Sequence, residues 1–480
     1  MNTPRNNKKF LAIPLIIAFA TFAFLIANAF SSNKSDDPSF YKAMINGSYR
    51  PLPIYGSNSI NTHGPSWADK DFRDSAASMN LKIVRYPGGS FGDFWDWRKG
   101  WFIDNNNARL NNNLSMPAGY ANMPYSPTGL KELKLLVDET NCDVLFELNM
   151  ITSDVNDQIE MLKNAQAMGF RIKWVELGNE FNLPKSAGRV KFQTARNYGT
   201  TCYNWTKAIK ESFPGVEVGV VGGNLQYSPD IKNWNDDVLN EATNVDAIVA
   251  HIYPVPSAVV DNDGINFENL YDAFQEDFKK MGFENVNNKK VWLTEYNIQW
   301  AYAKPGEDKA ALQKNAFTWG QALAILLMTS ESTNLPGSPN LILDHGIANW
   351  RGFASIEKRN NQVYMLPNGI GFRTWCEASR DKNSLRQISF QRSRHGDAHD
   401  YEVMGWQFKG DNEETSLIVN FTSKPIKIDA TALNSNGKTF YNLKYADKNK
   451  TIDNWQDVRH EKRQINNNEI NLPPYSIATL

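Results

Sequence analysis

From residue 54 onward, short apolar runs alternate with stretches whose apolar residues recur every three or four positions. The runs IYGSNSI (54–60), KIVRYPG (82–88), DVLFELNM (143–150), KWVELGNE (173–180), VEVGVVGGN (216–224), AIVAHIYP (247–254), VWLTEYN (291–297) and LILDHGIANW (341–350) are candidate strands. Several are continuously apolar rather than alternating, as strands buried on both faces of a parallel sheet are. Between them lie helical patterns such as PTGLKELKLLVDET, DVNDQIEMLKNAQAMG and the long NAFTWGQALAILLMTSES. Alternating strands and helices form either a doubly wound sheet or a closed barrel. No G-x-G-x-x-G follows the first strand, which favours an α/β fold of the (β/α)8 TIM-barrel type over residues 54–375.

The pattern changes beyond residue 375. HDYEVMGWQF, ETSLIVNFT, PIKIDATAL, KTFYNLKYA and YSIATL are strand-like and are separated by turn-rich stretches such as KGDNEE and NSNGK. They predict a C-terminal antiparallel β-sandwich over 376–480. Residues 30–53 form an N-terminal segment able to add a strand to that sandwich.

At the start of the chain, Arg5, Lys8 and Lys9 precede an apolar stretch from Phe10 to Phe30 that contains Ala27-Asn28-Ala29, a small-x-small cleavage pattern. The expectation is a signal peptide over 1–29 and an exported product: periplasmic, cell-surface or extracellular. Left uncleaved, residues 10–30 are long enough to anchor the chain in a membrane. No cysteine near the end of the stretch indicates a lipid anchor.

Charge and cysteine content exclude several classes. The 51 basic and 52 acidic residues leave a net charge of −1, unlike the basic surface that nucleic-acid binding requires. Cys142, Cys202 and Cys376 form neither a Cys-x-x-Cys pair nor a metal-ligand spacing, so a disulfide scaffold is excluded and neither a metal nor a cofactor is expected. Nothing in the chain selects an oligomeric state. The 14 Trp, 18 Tyr and 26 Phe suit a carbohydrate partner, because sugar rings stack their CH faces on aromatic rings.

Barrel chemistry sits at the C-terminal ends of the strands. The fourth candidate strand ends in Leu177-Gly178-Asn179-Glu180 and the seventh in Leu293-Thr294-Glu295-Tyr296-Asn297. Strands four and seven face each other across a barrel mouth. Two carboxylates meeting there can cleave a glycosidic bond by double displacement: one protonates the leaving oxygen and the other attacks the anomeric carbon.

WVELGNE followed by WLTEYN resembles the clan A retaining glycoside hydrolases. RYPGGSFGDFWDW is most similar to the corresponding segment of α-L-arabinofuranosidases and their β-xylosidase-like and glucuronidase/heparanase-like neighbours. The resemblance implies that Glu180 is the acid/base, Glu295 the nucleophile and Asn179 a ligand of the sugar 2-hydroxyl. It also implies that Arg85, at the end of strand two, touches the nucleophile, and that Trp350, ending strand eight, floors the sugar site. Strand seven reads Leu-Thr-Glu-Tyr-Asn where arabinofuranosidases carry an Asp-Glu-Trp-Asn style of segment. The resemblance therefore carries the type of bond and not the identity of the sugar.

Further candidates come from position alone. An arginine beside a carboxylate keeps it ionised, a second reason to place Arg85 in the site. His251 and Tyr253 share one face at the end of strand six. Asn149 ends strand three and His63 follows strand one, so both are candidate substrate contacts. Trp95, Trp97 and Trp101 are candidate stacking platforms. Glu147 and Glu176 also lie in strands, with Glu147 better suited to a structural ion pair. The competing reading is a catalytically inactive barrel that binds glycans through its aromatics. A metal-dependent amidohydrolase would need His-x-His or a carboxylated lysine, and the six histidines are unsuitably placed for it.

Overall fold

The computed structural model describes residues 39–480 except 60, 63, 111–113, 224–232, 284–285, 287, 349–351, 393–395, 398–400 and 434–436. The apolar segment 10–30, with its signal-peptide and anchor readings, lies outside the described residues. No helix among the described residues is long and apolar enough to cross a membrane.

Eight parallel strands close into a barrel. They are β1 (Ile54–Asn58), β2 (Ile83–Tyr86), β3 (Asp143–Leu148), β4 (Ile172–Leu177), β5 (Glu217–Val221), β6 (Ala247–Ile252), β7 (Lys290–Tyr296) and β8 (Leu341–Asp344). A helix follows each strand: α1 (Lys70–Ala77), α2 (Leu130–Thr140), α3 (Val155–Ala167), α4 (Ala195–Ser212), α5 (Trp234–Glu241), α6 (Phe267–Lys279), α7 (Trp319–Ser332) and α8 (Pro367–Ala378). Asp69, Asp154, Thr194 and Asn266 begin α1, α3, α4 and α6 by accepting a hydrogen bond from a first-turn backbone N–H.

Period-two alternation sorts the strand residues. Ile83, Leu145, Trp174, Val249, Trp292 and Leu341 fill the barrel interior. Val84, Val144, Phe146, Val175, Val218 and Ile342 face the helices. The same alternation brings Arg85, Glu147 and Glu176, two residues beyond Ile83, Leu145 and Trp174, to the interior at the C-terminal end.

Beyond the barrel, the strands Ser384–Arg392, Val403–Lys409, Glu414–Asn420, Ile426–Asp429, Phe440–Tyr445, Arg459–Gln464, Glu469–Leu472 and Ser476–Thr479 join Ser39–Ile45 and the two short strands Arg50–Pro51 and Gly396–Asp397 in one eleven-stranded sheet. Its pairings are antiparallel apart from Ser39–Ile45 against Ile426–Asp429, which is parallel. Tyr41, Ile388, Phe390, Ile418, Ile428 and Ile470 enclose a separate core, as the inner faces of a sandwich do. The alternate positions Leu385, Met404, Trp406, Phe408, Leu417 and Ile477 turn the other way and join the barrel core. This explains why α7 is buried along its whole length, with apolar residues from Ala322 to Met328 around its full circumference. Barrel strands cover one side of it, while on the other Ser330 Oγ lies 3.4 Å from Met404 Sδ and Trp319 Nε1 donates to the Tyr475 carbonyl at 2.7 Å.

Candidate active site

Arg85 is fully buried at the centre of the barrel mouth. Its Nε and Nη2 each donate to Glu176 at 2.8 Å, Nη2 donates to Asn179 Oδ1 at 2.7 Å, and Nη1 donates to Glu295 Oε1 at 2.8 Å and Asn58 Oδ1 at 2.9 Å. Glu147 approaches Nη2 at 3.1 Å as an ion pair, but neither of its oxygens has hydrogen-bond geometry to a partner. One guanidinium thus faces three buried carboxyl groups.

Glu295 reaches the cleft through an irregularity in β7. Ala250 pairs with Leu293 but His251 pairs with Glu295, so Thr294 is an extra residue on that strand. Its carbonyl accepts a hydrogen bond from Asn58 Nδ2 at 2.8 Å, and its hydroxyl meets His251 Nε2 at 3.0 Å. The slip turns Glu295 inward beside Arg85 and leaves Tyr296 facing out, where its hydroxyl meets Thr329 of α7.

Glu180 gets there by a tight turn. Gly178 follows β4 with φ +82°, and Glu180 itself holds φ +48°. A Cβ at position 178 would lie 2.2 Å from the Phe181 ring, so both the torsion and the close packing require glycine there.

His251 stands between the two glutamates, with Nδ1 3.0 Å from Glu180 Oε1 and 3.7 Å from Glu295 Oε2. Tyr253 donates to Glu295 Oε2 at 2.5 Å and also contacts His345 Nδ1. Donor atoms of Glu180, His251 and Glu295 all lie within 4.8 Å of one another. Such a group could share a cation, but the Arg85 guanidinium 2.8 Å from Glu295 already neutralises that carboxylate and repels a second positive charge.

The electrostatics separate the acids. Burial acts to raise the Glu295 carboxyl, but the charges of His251, Arg85 and His345 and the Tyr253 hydroxyl outweigh it and hold the group down at about 2. Burial pushes Glu147 well above the usual carboxylate range against the pull of Arg85, and raises Glu176 as well. Burial also acts to lower His251, yet Glu295 and Glu180 more than offset it and the imidazole is raised. His345 is lowered, by burial. The side chain of Glu180 is 27% exposed to the cleft and that of Glu295 only 6%. One carboxyl is therefore locked as an anion and the other open to solvent.

Of the residues singled out in the sequence, Glu180, Glu295, Asn179, Arg85, His251 and Tyr253 converge here. His63 and Trp350 lie outside the described residues. Asn149 serves the fold instead. Its amide donates to the Trp95 carbonyl and Thr152 Oγ1, and its Oδ1 accepts from the Ile151 and Thr152 N–H groups. All its hydrogen-bonding capacity is spent on holding the β3–α3 turn, not on a substrate. Trp95 and Trp101 are likewise not platforms but buried members of an aromatic cluster with Phe102. Trp97 is partly buried beneath Arg98. His345 and Thr294 are site residues that strand-end reasoning missed. His345 directly follows a buried strand, as readable a signal as His251.

A closed parallel (β/α)8 barrel with a β-sandwich packed on it is the fold shared with solved α-L-arabinofuranosidases. A family 51 enzyme from Bifidobacterium longum superposes with a TM-score of 0.66 at 16% identity, over 92% of this chain and 98% of that one. The Thermotoga maritima α-L-arabinofuranosidase gives 0.65 at 14% identity over 92% and 99%. A 4-O-α-L-rhamnosyl-β-D-glucuronidase from Fusarium oxysporum shares the fold at 0.58 and 14% over the same shares. At these identities the likeness is one of fold, and the fold is that of the group the sequence resembles. No family model matches the chain. Among curated proteins, the intracellular exo-α-(1→5)-L-arabinofuranosidase of Acetivibrio thermocellus is 24% identical over 231 residues, 44% of this chain and 42% of that protein. The counterpart from Bacillus subtilis is 23% identical over 202 residues, 38% and 39% of the two chains. The matches thus span less than half the length of these curated relatives.

Proposed function

We propose that the chain is a retaining glycoside hydrolase acting by double displacement, with Glu295 as nucleophile and Glu180 as acid/base. One observation carries the reading: carboxylate oxygens of the two residues approach within 4.8 Å. Retaining enzymes hold their carboxyl groups about 5–5.5 Å apart, whereas inverting ones need about 6.5–9.5 Å to admit a water.

In this reading Glu295, kept anionic by Arg85 and Tyr253, attacks the anomeric carbon while Glu180 gives its proton to the departing oxygen. A covalent glycosyl-enzyme results. Glu180, now a base, takes a proton from the incoming water, which releases the sugar and regenerates Glu295. His251, with Nδ1 3.0 Å from Glu180 Oε1, donates to that carboxylate once it has given up its proton. Asn179, oriented by Arg85 and by its 3.1 Å bond to Ser90 Oγ, presents its amide to the sugar 2-hydroxyl. The same reading keeps 54–375 as the catalytic barrel and 376–480 as an accessory sandwich.

The names of the relatives make α-L-arabinofuranosides the first glycone to try, and the glucuronidase neighbour adds glucuronides. The deciding experiment is turnover of a panel of 4-nitrophenyl glycosides by wild type and Glu295→Ala. The variant is expected to lose at least about a thousandfold in kcat, and azide or formate should restore turnover with an inverted product. Glycan affinity without turnover in both proteins would instead support the binding-module reading. Export rests on residues 1–30 alone; N-terminal sequencing of the mature protein tests it, with cleavage after Ala29 expected.

A further inference from the structure

On the acid side of the glutamate pair, a cavity of about 560 Å³ opens against Glu180, His251 and Tyr253, and Glu295 is not among its walls. The rest of its lining combines the apolar Val221, Val249, Met281, Val255 and Leu183 with the polar Glu176, Asn182, Gln299 and Lys304. Val221, Val249 and Met281 are otherwise buried, so the cavity reaches the top layer of the barrel interior rather than lying on the surface. Tyr302 stands at the mouth with 47% of its surface exposed, one of the few large hydrophobic side chains so exposed among the described residues.

Double displacement fixes what such a space can receive. The sugar that is attacked must lie over Glu295, and the bond that breaks must point its oxygen at Glu180. Space that touches Glu180 but not Glu295 belongs to the leaving group. A second sugar placed there would find partners in Asn182, Gln299 and Lys304 but would set its remaining hydroxyls against valine, leucine and methionine side chains, which is costly. An apolar group loses nothing there and gains by leaving water. The volume falls within the range of small-molecule sites, and an exposed aromatic ring at the entrance suits a flat or chain-like apolar body.

We infer that this cavity is a leaving-group site for glycosides whose aglycone is an aryl or alkyl group rather than another sugar. The inference rests on the retaining-glycosidase reading. Methyl, butyl and hexyl α-L-arabinofuranosides test it, because their leaving alcohols have nearly the same acidity and chain length then reports binding and not chemistry. In wild type, kcat/KM is expected to rise about fourfold for each methylene buried until the cavity is filled. Met281→Gln and Val255→Asn should flatten that dependence. Calorimetric binding of the hexyl and methyl arabinofuranosides gives a readout that needs no turnover, with tighter binding of the hexyl compound expected. Turnover of 4-nitrophenyl α-L-arabinofuranoside together with no dependence on chain length overturns the cavity assignment and leaves the glycosidase reading standing. Preferential binding of the hexyl glycoside with no turnover of any glycoside supports the cavity as an apolar site and overturns the reading on which its leaving-group role rests.

Discussion

The hydroxyl of Tyr253 lies 2.5 Å from Oε2 of Glu295 and also contacts Nδ1 of His345. A phenol carries one proton. Glu295, held at about 2, is an anion at neutral pH and can only accept, so Tyr253 spends its proton there. His345 then directs its own Nδ1 proton at the phenol oxygen, since the phenol has no second proton to give. A chain of donors thus runs from β8 through the end of β6 to the carboxylate of β7.

Tyr253→Phe removes the last donor in that chain. Burial then works against the charged form of Glu295 with one fewer opponent, and the carboxyl rises from about 2 toward its ordinary range. Because the nucleophile must be ionised, the acid limb of the kcat/KM–pH profile is expected to move to higher pH. The rate at neutral pH should fall on the order of tenfold to a hundredfold. An unmoved acid limb would mean that Tyr253 does not tune the nucleophile.

Glu180→Ala separates the two steps of the mechanism by leaving group. A 2,4-dinitrophenolate departs without help, whereas an alkoxide needs a proton. In kcat/KM, which reports only the step that expels the leaving group, the expected loss is less than about tenfold on the dinitrophenyl glycoside and about a hundredfold or more on the methyl glycoside. Equal losses on both substrates would remove Glu180 from the role of acid.

The eight barrel strands were legible because continuous apolar runs of strand length have little alternative to a sheet buried on both faces. The strand-end residues came with them: Arg85, Glu180 and His251 each follow the last apolar position of a run. The manner in which Glu295 arrives was not legible. Simple alternation from Trp292 brings Thr294 inward and turns Glu295 out, and only the one-residue slip between β6 and β7 brings both into the cleft. No residue type marks that slip, since it is set by the neighbouring strand and by Asn58 capturing the Thr294 carbonyl. Asn149 misled because an asparagine at a strand end serves a turn as readily as a substrate. Trp95 and Trp101 misled because a tryptophan after a strand packs on its neighbours as readily as on a sugar.

The junction between barrel and sandwich is held by aromatic packing. Trp406 is 1% exposed and meets Trp375 of α8 edge-on at 5.9 Å, with Arg50 over its ring at 5.5 Å. Trp406→Ala leaves a large cavity between two layers that cannot collapse independently. The expected cost is about 3–5 kcal/mol in denaturant unfolding. Below the transition, kcat should be unchanged, because the contact lies on the far side of α7 and α8 from the cleft.

Glu147 offers a test of charge balance inside the barrel. Three carboxyl groups surround the single guanidinium of Arg85. Burial raises Glu147 well above its ordinary range, while Glu295 is lowered to about 2. A buried acid raised in the folded state binds more protons there than in the unfolded chain, so it lowers stability progressively as pH rises above the ordinary carboxylate value. Glu147→Gln keeps the shape and removes the titration. Its melting temperature should match wild type near pH 4 and exceed it by a growing margin from pH 5 to pH 8. Glu295 has the opposite sign: its contribution is present above about 4.5 and fades as pH falls toward about 2. The Glu147 variant should retain this acid-side loss unchanged. A melting difference that shrinks with rising pH would mean that Glu147 is ionised in the folded protein and that Arg85 carries all three charges.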